Sequence, residues 1–101
     1  MTLNAFKTRA KLWVYPGKAT WHFVTLNKAA TKAVEKIKPV KRKGWGSIPI
    51  NITVGSSTWK TSIFPGKNGE YIIPIKAAIR KKEGLEKDST VNMYIEKDGF
   101  R

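Results

Sequence analysis

The stretch Gly46–Lys81, GSIPINITVGSSTWKTSIFPGKNGEYIIPIKAAIRK, decides the fold class. Ile48, Ile50, Ile52 and Val54 alternate with Ser47, Pro49, Asn51 and Thr53. Successive strand residues point to opposite faces, so this period of two reads as a strand with one buried face. Gly55-Ser56 suits a type II′ hairpin turn, because glycine adopts the positive φ required at the first central position. Residues 57–64 run back as the next strand. Pro65 to Gly69 is a loop, and residues 70–75 form a further strand. Pro74 marks the end or an edge of that strand, since it has no N–H to give the ladder. Lys76 to Lys82 reads as one or two helical turns, ended at Gly84.

The pattern extends outward from this block on both sides. Residues 5–15 alternate, with Phe6, Thr8, Ala10, Leu12 and Val14 on one face and Lys7, Arg9, Lys11, Trp13 and Tyr15 on the other. Pro16-Gly17 turns the chain, and residues 20–26 form a hairpin partner. Asn27 is placed to cap a helix, with its side-chain oxygen accepting a free amide of the first turn. Ala29, Ala30, Ala33, Val34 and Ile37 follow at helical spacing, with Lys28, Lys32 and Lys36 opposite. Pro39 stops that helix. A last strand, Thr90 to Lys97, puts Val91, Met93 and Ile95 on its apolar face. The element order is β-β-α-β-β-β-α-β in one domain spanning residues 1–101. So much sheet in a short chain needs its edges closed or covered. A small, partly open barrel with a helix over one end is the expected solution.

Composition excludes several functions. With no Cys there is no disulfide scaffold, thiol nucleophile or Cys-ligated zinc in this chain. No P-loop or dinucleotide-binding glycine pattern is present. No apolar run approaches the ~20 residues of a membrane-spanning helix, and residues 1–13 lack the apolar core of a signal peptide. A cytoplasmic, non-membrane protein is expected, without cofactor or metal. His22 is the sole histidine, and a general base needs a partner within hydrogen-bond reach. Acids are concentrated in the carboxy-terminal third, so no nucleophile–base pair is visible and an enzyme is the least expected class.

Charge is the strongest functional signal. The net charge is +13, and residues 1–69 carry thirteen Lys or Arg against one acid, Glu35. Such asymmetry points to a polyanionic partner, although the same charge can serve only to solvate a surface. Three groups of cations are candidates for binding nucleic acid or another anion. Lys7, Arg9 and Lys11 form a basic strand face ending in Trp13. Lys41, Arg42 and Lys43 precede Trp45 in a loop. Lys60 lies on a strand beside Trp59, while Lys76 and Arg80 are four apart on the short basic segment and share a face if it is helical. Phosphates suit the charges and exposed bases can stack on aromatic rings. Against this, Trp59 can pack in the barrel while its neighbouring hydroxyls pair across strands, Trp13, Trp21 and Trp45 can be core or rim residues, and Glu83, Glu86 and Asp88 lie near enough in sequence to neutralise Lys76 and Arg80. The favoured reading is a non-catalytic binding domain with nucleic acid as partner. The alternative is a small-molecule or anionic ligand at the barrel mouth near Lys60, Lys76 and Arg80. Either a monomer or a homodimer fits.

The strings Gly46-Ser47-Ile48-Pro49-Ile50, Thr58-Trp59-Lys60-Thr61-Ser62-Ile63-Phe64-Pro65 and Tyr71-Ile72-Ile73-Pro74-Ile75-Lys76-Ala77-Ala78-Ile79-Arg80-Lys81 carry a family resemblance. With Lys11-Leu12-Trp13 and Trp21-His22-Phe23-Val24, they resemble a small bacterial and archaeal family known as the domain of unknown function numbered 1905. The resemblance implies a small double-split β-barrel, an architecture shared with AbrB-like and MazE-like DNA-binding domains, in which two subunits often interleave. It implies no activity and brings no catalytic residues.

Overall fold

A computed structural model describes residues 5–17, 21–37 and 47–97. The protein is mainly β, and the described residues form six strands and two α-helices in the expected order. These are β1 (Ala5–Val14), β2 (His22–Thr25), α1 (Lys28–Ile37), β3 (Ile48–Val54), β4 (Ser57–Pro65), β5 (Tyr71–Pro74), α2 (Ala77–Glu83) and β6 (Thr90–Lys97). A 3-10 turn at Lys67–Gly69 occupies the expected loop. Among the described residues no helix is long and apolar enough to cross a membrane.

The strands close into an antiparallel barrel in the order β1-β2-β5-β4-β3-β6. Closure is complete rather than partial. Strand β6 pairs with β1 from Ala5↔Glu96 to Lys11↔Thr90, and with β3 from Ile50↔Lys97 to Thr53↔Tyr94. The last strand therefore bridges two strands far apart in sequence and leaves neither with an open edge there.

The alternating apolar positions meet inside. Ile48, Ile50, Ile52 and Val54 of β3, Ile63 of β4, Ile73 of β5 and Val91, Met93 and Ile95 of β6 are buried. Helix α1 adds Ala30 and Val34, and α2 adds Ile79. Ala29, expected among the apolar positions of α1, is instead exposed, because it sits on the flank of the buried stripe centred on Ala30 and Val34.

Local signals hold in detail. Asn27 Oδ1 accepts the Ala30 amide at 2.8 Å, so the cap of α1 is real. Gly84 ends α2 in the left-handed conformation (φ 67°, ψ 36°). In the β3–β4 hairpin, Gly55 has φ +60° while Ser56 is not among the positive-φ residues. That distinguishes a type II′ turn from type I′, where both central residues need positive φ. The hydroxyls of Thr53 and Thr58 pair across the same hairpin at 2.9 Å.

Candidate functional site

Around the closed barrel, the β4–β5 pairing is the shortest. Strand β4 pairs with β3 from Ser57 to Ile63, but with β5 only at Phe64↔Ile72 and Pro65↔Tyr71. The β4–β5 register ends at those two pairs. Pro74 ends β5, and the chain passes through Ile75 and Lys76 into α2, which packs against β4. A cleft of about 790 Å³ lies between β4, β5, α2 and the start of β2.

Three sequence-predicted cations meet there. Lys60 comes from β4, Lys76 from the cap position of α2, and Arg80 from its second turn. Around them stand Trp21, Phe23, Trp59 and Phe64. Trp59 is half-buried and packs against the core while also lining the cleft, so the packing and ligand-facing readings of that residue coexist.

Arg80 is held in place. Its Nε donates to the Ile75 carbonyl at 3.1 Å, and Nη1 lies 3.2 Å from His22 Nε2. Arginine can only donate, so in this contact His22 Nε2 is the accepting partner. The Ile75 amide in turn donates to the His22 carbonyl at 2.9 Å. Two contacts thus set the plane of the guanidinium, and a preset planar fork suits carboxylate or phosphate oxygens.

Glu83, expected to lie near enough to neutralise Lys76 and Arg80, is engaged elsewhere. Its Oε2 accepts from Ser57 Oγ at 2.6 Å and Ser56 Oγ at 3.2 Å, tying the end of α2 to the β3–β4 turn. The Ser57 hydrogen bond, aided by Ser56 and Lys82 against partial desolvation, holds the Glu83 carboxyl below its usual range. A carboxyl with a depressed folded-state pKa stabilises the fold above the pKa of an unfolded Glu, near ~4.3, and loses that contribution as pH falls through the folded value. Denaturant midpoints should therefore fall as pH drops from about 5 through the depressed folded-state value, and Glu83→Gln should flatten part of that acid dependence. An unchanged acid slope in the variant would remove Glu83 as its source.

The second group lies on the outer wall. Lys7, Arg9 and Lys11 are all exposed on one face of β1. Their partners across β6 are Tyr94, Asn92 and Thr90, none of them charged. On the same face follow Trp13 and Tyr15, and these join a ring cluster. Trp13 and Phe23 have centroids 5.3 Å apart, Tyr15 and Trp21 6.0 Å, and Trp21 and Phe23 6.5 Å. The indole N–H of Trp13 donates to Thr25 Oγ1 at 2.9 Å, which fixes that ring. Tyr15 and Trp21 remain 43% and 53% exposed, so Trp21 is a surface ring and not a core residue. Lys7 and Arg9 also border a second cavity of about 740 Å³, walled by Ala29 and Ala33 of α1. The third group, Lys41, Arg42 and Lys43 with Trp45, lies outside the described residues.

Sequence reasoning missed two features of the site. One is the His22–Arg80 contact, between residues 58 apart in the chain. The other is that Trp21 and Phe23 wall the cleft. Their parity was a usable signal, because both fall on the strand face opposite the buried Val24.

The family model described as Domain of unknown function (DUF1905) matches residues 9–95. No curated protein matches the chain.

Proposed function

We propose that this chain, which belongs to the DUF1905 family, is a non-catalytic binding module whose cleft between β4, β5 and α2 takes an anionic ligand with a flat apolar body. The observation that supports this is the convergence of Lys60, Lys76 and Arg80, from separate points of the chain, on a concavity walled by aromatic rings. Ligand sites are typically concave, largely apolar and furnished with a few placed polar groups. Charges set around a cleft attract an anion more strongly than the same charges spread over a convex surface. The rings offer faces and edges to a flat ligand.

Binding without chemistry is supported by the absence of Cys and by the engagement of the sole histidine with an arginine. The test is thermal denaturation against nucleotides, sugar phosphates and acidic metabolites. A ligand present at a hundred times its dissociation constant adds ~2.7 kcal/mol to stability. Lys60→Gln and Lys76→Gln, both at exposed positions, should shrink the ligand-induced shift measured from each variant's own ligand-free midpoint. A panel without any shift, or shifts indifferent to both variants, would refute the reading.

A nucleic-acid partner is favoured by a separate observation, the uninterrupted Lys7–Arg9–Lys11 row on β1.

A further inference from the structure

We infer that the outer wall and the cleft form one continuous track for single-stranded nucleic acid. This rests on the reading of the cleft as an anion site and extends it. The track begins at Lys7, Arg9 and Lys11, passes over the rings of Trp13, Tyr15, Trp21 and Phe23, and ends at Lys60, Lys76 and Arg80. Its continuity has two sources. Residues 7, 9, 11 and 13 share one face of β1, and Tyr15 follows just past its end with its amide donating to the Trp21 carbonyl at 2.9 Å, so cations and rings follow each other along the chain. Trp21 and Phe23 belong both to the ring cluster and to the cleft wall.

The shape of the track selects its ligand. Alternate strand residues repeat at about 6.6–6.8 Å, so Lys7 to Tyr15 extends over about 26–27 Å. A single small anion cannot engage both cationic ends. The ligand must be an extended polyanion, and the rings between the ends require flat faces along it. An acidic peptide or inorganic polyphosphate carries the charge without the faces. Duplex DNA hides its base faces inside the stack and is read through its grooves by a helix or ribbon. An unpaired strand has both phosphates and accessible bases, and base–aromatic stacking with a cationic backbone groove is the general way such strands are held. Exposed adjacent rings in a chain this cationic also fit a surface kept open for a partner.

The experiment is fluorescence anisotropy of the full chain with a labelled oligo(dT) ten-mer, oligo(rU) of equal length, the same length as duplex, and polyglutamate as competitor. Tryptophan fluorescence is read in parallel. The single strand should bind more tightly than the duplex, resist polyglutamate, and quench tryptophan emission. The logarithm of affinity should fall with the logarithm of salt at about −0.7 per phosphate contacted. Trp21→Ala, at a half-exposed ring, should weaken binding by about 5- to 150-fold, as expected for one lost base stack. Replacing Lys7, Arg9 and Lys11 together by Gln should reduce the salt slope by about 2, while leaving intact any small-anion thermal shift that depends on Lys60 and Lys76. Duplex or polyglutamate binding as well as the single strand, or indifference to Trp21→Ala, overturns the track. Small-anion shifts that persist without any oligonucleotide binding overturn this inference but not the cleft reading. Oligonucleotide binding indifferent to Lys60→Gln and Lys76→Gln overturns the extension into the cleft.

Discussion

Replacing Ile52 by alanine is expected to lower the free energy of unfolding by about 2–5 kcal/mol. Ile52 is fully buried at the middle of β3, opposite Trp59 on β4 and Ile95 on β6. The loss combines the transfer free energy of the deleted carbons with the cost of the cavity they leave, because strands tied on both sides can relax only partly. A domain of this length has ~5–15 kcal/mol in total, so one substitution removes a large share. Each kcal/mol corresponds to about 4–8 °C in melting temperature at this size. Ile52→Val should cost only ~0.5–1.5 kcal/mol. Urea titrations of both variants read the effect as a lower midpoint at similar slope. A loss below ~1 kcal/mol for Ile52→Ala would mean that β3 is not the central strand of the core.

The second large effect is expected at Gly55. Alanine there meets two obstacles with one origin. The positive φ of +60° costs a residue with a Cβ about 1–2 kcal/mol. The new Cβ would also overlap Glu83 Oε1, and Glu83 cannot swing aside without losing its hydrogen bonds to Ser56 and Ser57. The measured destabilisation should therefore exceed the backbone cost alone. Made in a Glu83→Ala background, Gly55→Ala should fall back towards that backbone cost. The double-mutant cycle isolates the coupling. Additive effects would show that the turn and the end of α2 are energetically independent.

The barrel was legible in the chain because each strand states its own orientation. A one-residue slip would send an entire apolar set to the wrong face, so Ile48 to Val54 and Val91 to Ile95 leave little choice of parity. The caps at Asn27 and Gly84 and the turn at Gly55 were equally legible, since each depends on one side chain or one φ value within a few residues. The order of strands was not. The expectation of a partly open barrel failed because β6 pairs with two strands whose sequence separation from it carries no local signal.

The candidate site divides along the same line. Which face of β1 carries Lys7, Arg9, Lys11, Trp13 and Tyr15 follows from period two alone. The grouping of Lys60 with Arg80 in one cleft, and the capture of Glu83 by Ser56 and Ser57, depend on contacts between elements far apart in the chain. By itself the amino-acid order determined the strands, their buried faces, their turns and the cationic character of the surface, because those properties are short-range. The sequence named Lys60, Lys76 and Arg80 together only as one alternative; tertiary structure decided that they share a cleft and which rings border it, because closing a barrel brings together residues that no local rule relates.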